Sequence, residues 1–161
     1  MTRAAVANQG GEQSADTPNN GRVKPLFDYA GLDVTKKVVT REGFSRWLPH
    51  RDVMLLPDGI IWQSDDFTRV AGVKHLRDDE FWVRGHFPGK PMFPGVLMVE
   101  TAAQIACYMH QVRQDKPSLV AFLRIEEATF RSMAVPGDDL VVLVQEIKYS
   151  KRRFVSAAQG W

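Results

Sequence analysis

One stretch constrains this chain more than any other. It runs from Arg84 to Gln114, R-G-H-F-P-G-K-P-M-F-P-G-V-L-M-V-E-T-A-A-Q-I-A-C-Y-M-H-Q-V-R-Q. It opens as a polar, turning loop and continues as a helix with no polar face, because Val96, Leu97, Met98, Val99, Ala102, Ile105, Ala106 and Met109 fall on every side of it. A helix that is apolar all round lies in a membrane or inside a protein. Crossing a membrane takes about 20 apolar residues without charges, and here Glu100 and Gln104 interrupt the run. The helix is therefore expected at the centre of a soluble fold.

Glu100 is then the most informative residue. An ionised carboxylate in apolar surroundings is costly unless paired, and such a group usually answers by holding its proton. Pro94-Gly95 marks the start of the helix. Helical side chains lean toward the N-terminus, so Glu100 is expected to point back toward the loop that carries His86. An imidazole on a loop and a carboxylic acid on a buried helix make an acid–base pair. The same residues fit a plainer arrangement, in which Gln104 at i+4 satisfies Glu100 and His86 is an ordinary turn residue. Residue chemistry alone leaves both open.

A resemblance favours the first. Gly85 to Gln104, G-H-F-P-G-K-P-M-F-P-G-V-L-M-V-E-T-A-A-Q, resembles the signature of the 3-hydroxyacyl-[acyl-carrier-protein] dehydratases, hotdog-fold enzymes of type II fatty-acid synthesis. Phe93 replaces the Met of their pattern. The similarity runs from about Trp47 to the C-terminus. Leu48-Pro49-His50-Arg51 with Leu55-Leu56-Pro57-Asp58 resembles the family's N-terminal motif, and Phe130 with Val135-Pro136-Gly137-Asp138 resembles its later strand–turn–strand.

The resemblance implies an α+β hotdog fold, an antiparallel sheet wrapped around a long central buried helix. It implies a hydro-lyase that takes water from a 3-hydroxyacyl thioester on acyl carrier protein and gives the trans-2-enoyl thioester. His86 and Glu100 would be catalytic, with Gly95, Phe87, Pro94, Val96 and Gln104 against the substrate. It also implies a homodimer, often within a trimer of dimers, in which His86 of one subunit faces Glu100 of the other. His50 receives a structural role outside the site. Related dehydratase/isomerases resemble this pattern with Asp at the helix position, so Glu100 favours simple dehydration. After Arg51 the family continues aromatic-Pro-aromatic where this chain has Asp52-Val53-Met54, which puts the acyl tunnel's shape in question. A hotdog module that binds acyl thioesters without turnover, or a hotdog thioesterase, is the alternative.

Dehydration removes a C2 proton and expels the C3 hydroxyl. His86 suits the base, since an imidazole titrates near neutrality. Glu100 would donate to the leaving hydroxyl. The Gly95 N–H, unpaired at a helix N-terminus and backed by the helix dipole, would hold charge on the thioester oxygen. The resemblance does not say which of the pair moves which proton. No metal or other cofactor is expected: no His/Cys/carboxylate cluster has ligand spacing, and no phosphate-cradling glycine motif is present.

The rest of the chain fits one domain. Its 161 residues can bury a core, and 44% hydrophobic with 25% charged content is ordinary for a globular protein. One cysteine, Cys107, excludes an internal disulfide and reads as a small core residue of a reducing, cytoplasmic protein. Residues 1–24 have almost no large apolar side chains and no signal-peptide core, so they read as a flexible tail. The domain is expected at 25–161, without the strand that the family carries beyond the equivalent of Trp161.

Pro25 to Arg46 reads as a short helix or packed extension, with a second short helix from Thr40 to Trp47. Ile60 to Trp62 begins a strand, and Phe67 to Leu76 alternates like a half-buried one, with His75 on the solvated side. Asp78, Asp79 and Glu80 read as a solvated turn. Phe87-Pro88-Gly89 and Phe93-Pro94-Gly95 each suit a tight turn. Leu119 to Phe130 reads as one long strand, followed by Leu140 to Tyr149 and Phe154 to Trp161. Lys148, Lys151, Arg152 and Arg153, with Arg131, make the late strands basic. They suit docking of an acidic carrier, or edge charges that discourage aggregation. A net charge of +2 argues neither for nor against a nucleic-acid partner, but no RNA-binding motif is recognisable, so neither a nucleic-acid partner nor membrane insertion is expected.

Overall fold

The computed structural model describes residues 2–6 and 24–161. Helix α2, Gly95–Gln111, is the only long helix among them, and from Met98 onward nearly every residue on it is buried. It lies against β4 (Arg69–His75), β6 (Asp139–Ser150) and β7 (Arg153–Gly160). The rest of the sheet is β1 (Thr2–Val6), β2 (Val39–Thr40), β3 (Gly59–Gln63) and β5 (Ile125–Phe130), in the order β2-β3-β4-β6-β7-β1-β5. From β2 to β7 every pairing is antiparallel. A central helix on an antiparallel sheet is the expected hotdog architecture, and it is the simplest way for one domain to bury a helix with no polar side. No helix among the described residues is long and apolar enough to cross a membrane.

The two faces of the sheet are covered differently. On the inner face Val70, Leu140, Val142 and Val144 pack with Ile105 and Met109 of α2 and with Phe44 and Leu48 from the entry segment. Phe44 closes helix α1 (Arg41–Phe44), which Thr40 caps by accepting a hydrogen bond from the Gly43 N–H. On the outer face Ala71, Val73, Ile61 and Leu143 lie under a packed extension, where Phe27 is buried and Leu26, Tyr29, Leu32 and Val34 are partly so. Phe27 meets Trp62 at 5.3 Å and Tyr29 stacks on Trp161 at 5.3 Å. The Gln159 amide pins the extension by accepting from the Leu26 N–H and donating to the Lys24 carbonyl. Pro25 to Val38 is therefore an extension, not a helix. It also buries β4 on both faces, which corrects the half-buried reading of that strand.

Other expectations change too. Of the stretch read as a tail, Thr2–Val6 form β1, parallel to β5 and β7, and residues 1 and 7–23 lie outside the described residues. The long strand expected from Leu119 shrinks to Ile125–Phe130, and Leu119, Phe122 and Leu123 before it are exposed. Alternation and β-branched content alone do not make a strand; a neighbouring strand must pair with it, and among the described residues β5 pairs only with β1.

Glu80 is not solvated. Its side chain is 10% exposed and takes a 2.7 Å hydrogen bond from Lys74, which is 1% exposed. Lys74 also lies 3.5 Å from Asp58, which accepts from the His75 N–H and from Arg77. Burial pushes the Asp58 carboxyl up, but the charge of Lys74, the His75 N–H and Arg77 outweigh it and hold the group below its usual range. His75, expected to be solvated, contacts Asp139 at 2.5 Å.

Candidate active site

The closed ion cluster supports the loop that carries His86. Glu80 accepts a 3.3 Å bond from the Trp82 indole, and Trp82 packs edge-on against Phe93 at 5.2 Å. The Trp82 carbonyl then accepts from the N–H groups of Gly85 and His86 at 3.1 and 2.9 Å. Beyond His86 a tight turn closes with reciprocal backbone bonds between Phe87 and Lys90, and Gly89 supplies the positive φ of 74° that it needs. The second Phe-Pro-Gly behaves otherwise. Pro94 is the N-cap of α2 and Gly95 its first residue, so no second left-handed turn forms.

His86 is fixed at three points. Its N–H donates to Trp82, its carbonyl accepts from the Met92 N–H at 2.7 Å, and its ring Nδ1 lies 2.7 Å from the Met92 carbonyl. A carbonyl can only accept, so Nδ1 carries the hydrogen and Nε2 keeps the lone pair. Phe87 stacks on the ring at 4.0 Å. The result is an oriented imidazole whose remaining nitrogen is a base.

That imidazole borders an open cleft of about 360 Å³, lined by Met92, Phe93, Gly95, Met98, Phe130 and the segment 131–133. Gly95 belongs in the cleft wall for a steric reason. A Cβ there would come within 3.0 Å of the Phe130 ring. The first intrahelical bonds run from the Leu97 and Met98 N–H groups to the Pro94 carbonyl at 2.9 and 3.1 Å. The N–H of Gly95 precedes them, at the positive end of the helix dipole. One cleft therefore combines a base and a donor suited to a developing oxyanion.

Glu100 lies elsewhere on the same helix. It is not buried among apolar groups as expected, because 28% of its side chain is exposed and its neighbours are polar. The Gln104 amide donates 2.8 Å to Glu100 Oε1 and 2.8 Å to the Met54 carbonyl, and its oxygen accepts from the Leu56 N–H at 3.0 Å. His50 Nε2 sits 3.4 Å from the same Oε1. The i+4 contact anticipated between Gln104 and Glu100 is present, and so is an approach by His50 that sequence reasoning left out. Among the described residues no hydrogen bond or ion pair joins His86 to Glu100 within the chain.

The other expected substrate contacts divide. Phe87 and Val96 are exposed, 49% and 75%, whereas Pro94 is buried beneath the helix start and Gln104 is 1% exposed with its amide engaged. Burial pushes the Cys107 thiol up to about 12, and the charge of Glu100 adds to the shift. The thiol is thus a core group. Among the described residues no three His, Cys, Asp or Glu side chains gather as metal ligands.

Comparison with known proteins agrees with this fold. A family model described as a FabA-like domain matches residues 48–161. The 3-hydroxyacyl-[acyl-carrier-protein] dehydratase FabZ of Desulfotalea psychrophila is 34% identical over 118 residues, covering 71% of this chain and 77% of the relative. The FabZ of Halalkalibacterium halodurans is 34% identical over 128 residues, 76% of this chain and 91% of the relative. That of Geotalea uraniireducens is 38% identical over 114 residues, 69% and 77%.

Proposed function

This chain belongs to the FabA-like family, and on that premise we propose that it dehydrates 3-hydroxyacyl thioesters on acyl carrier protein, the reaction for which its FabZ relatives are named. The observation that carries the reading is the cleft shared by His86 and the Gly95 N–H. With Nδ1 committed to the Met92 carbonyl, His86 Nε2 takes the C2 proton of the substrate. The Gly95 N–H stabilises the negative charge that this places on the thioester oxygen. The electron pair left at C2 forms the C2=C3 bond as the C3–O bond breaks. Glu100, as the general acid, delivers a proton to the departing hydroxyl, which leaves as water.

Glu100 reaches that substrate from a second copy of the chain. Within one chain it does not line the cleft, yet it stands half-exposed on the helix whose first residue does. Exposed apolar residues at Val96, Phe130 and Met133 beside the cleft support an interface between copies there. Arg131 lines the cleft, and its positive charge suits an acidic carrier.

Turnover of a 3-hydroxyacyl thioester, followed by enoyl absorbance, tests the reaction. His86→Ala and Glu100→Gln are each expected to lower kcat by about 10²- to 10⁴-fold. Mixing the two inactive variants restores part of the activity if one site draws on two chains, and light scattering then gives at least a dimer. Wild-type protein that binds the acyl thioester without turning it over sinks the dehydratase reading.

A further inference from the structure

We infer that His50 is a positioning residue for Glu100: it and Gln104 hold Oε1 between them, so that Oε2 is the oxygen that meets the substrate. The inference rests on the reading of Glu100 as the proton donor, and it adds a residue that the resemblance places outside the site.

His50 sits on the segment between α1 and the short 3₁₀ turn Asp52–Met54, and that segment is held firmly. Arg51 donates to the Leu48 carbonyl at 2.6 Å, to the His50 carbonyl at 2.7 Å and to the Ser45 carbonyl at 3.0 Å. Leu48 is 2% exposed and packs in the inner core. The imidazole thus comes from a rigid base. Its Nε2 lies 3.4 Å from Glu100 Oε1, and its Nδ1 is buried without a hydrogen-bond partner among the described residues. A hydrogen on Nδ1 would be a buried donor with nothing to receive it, which is costly. The tautomer that fits carries its hydrogen on Nε2, toward the carboxyl.

The other donor to Oε1 is equally committed. The Gln104 amide is tied to Met54 and Leu56, at the other end of the same turn. One short segment, 50–56, therefore fixes Glu100 from both sides through its first oxygen. No hydrogen bond or ion pair reaches Oε2 among the described residues. A carboxyl that must deliver a proton along one line needs its rotation stopped, and contacts to the other oxygen do that. A 3.4 Å approach is long for a hydrogen bond, as such contacts often are before substrate binds.

The test compares His50→Gln with His50→Asn. Glutamine can place its amide nitrogen near the position of Nε2, while the shorter asparagine reaches only to the position of Nδ1. Both are polar substitutions at the same half-exposed position, so stability alone should not separate them. His50→Gln is expected to keep kcat within about fivefold of wild type. His50→Asn should lower it by about 10- to 100-fold with KM unchanged, the cost of losing fixed geometry. Melting temperatures read alongside should be alike for the two. Equal kcat in both variants overturns the inference, whether both are active or both are impaired. Glu100→Gln is assayed in parallel: if it retains wild-type turnover, the failure lies in the reading of Glu100 as acid and not in His50.

Discussion

Two polar clusters, one on the sheet and one on the helix, contain buried or half-buried carboxylates, and they are built to opposite rules. In the sheet cluster Asp58, Lys74 and Glu80 are 8%, 1% and 10% exposed. Each carboxylate there has several donors: Lys74, Arg77 and the backbone N–H groups of His75 and Arg77, with the Trp82 indole added for Glu80. In the helix cluster Glu100 has its two polar neighbours on one oxygen and 28% of its side chain exposed. A carboxylate with donors on both oxygens has little left to offer a substrate, whereas one held by a single oxygen keeps the other free. The first arrangement is expected to hold the fold, the second to do chemistry.

The strongest attempt to break this contrast is Lys74→Met set beside Glu100→Gln. Removing Lys74 leaves Asp58 and Glu80 short of their buried cation, and breaking a buried ion pair from one side costs about 3–5 kcal/mol. Chemical denaturation should show that loss, with kcat of the protein that remains folded falling far less than in Glu100→Gln. Glu100→Gln should do the reverse, with stability within about 0.5 kcal/mol of wild type and turnover nearly gone. If Lys74→Met costs turnover and not stability, the sheet cluster is not a scaffold.

Acid unfolding gives a smaller effect with a definite sign. The folded-state pKa of Asp58 is held below the ordinary carboxyl value of 3.8. Its contribution is therefore complete above that value and is lost as pH falls through the lower, folded-state one. Urea midpoints measured from about pH 6 to about pH 3 should fall steeply in wild type at the acid end. Asp58→Asn should start less stable and fall less. A wild-type profile that is flat at the acid end would mean the cluster holds its protons differently.

How much of this was legible beforehand follows from the range of the interactions involved. The helix was legible because its apolar run is local, and the loop because its turn residues are local too; the fixed spacing from His86 to Glu100 came with them. The cover on the outer face was not. Phe27 and Tyr29 are isolated aromatics until the fold sets them against Trp62 and Trp161, far away in the chain. Glu80 read as a solvated acid beside Asp78 and Asp79, and only its pairing with Lys74 on an adjoining strand shows otherwise. His50 and Glu100 are separated by 50 positions, and no periodicity links them. The expected start of the long strand at Leu119 failed for a related reason: alternation is local, but pairing is not.

Cys107 offers the finest discrimination between the two clusters. Its thiol is pushed up to about 12, first by burial and second by the charge of Glu100, two helical turns away. At neutral pH almost no thiolate exists, so alkylation should proceed only through opening of the helix. Glu100→Gln removes the second cause and leaves the first. If burial dominates, as the order of causes indicates, labelling in that variant should differ from wild type by less than about threefold. A large acceleration would mean that the carboxyl also holds the helix in place. Glu100 would then be structural as well as chemical, and the division between a saturated cluster that holds the fold and a half-open one that reacts would fail at its most exposed member.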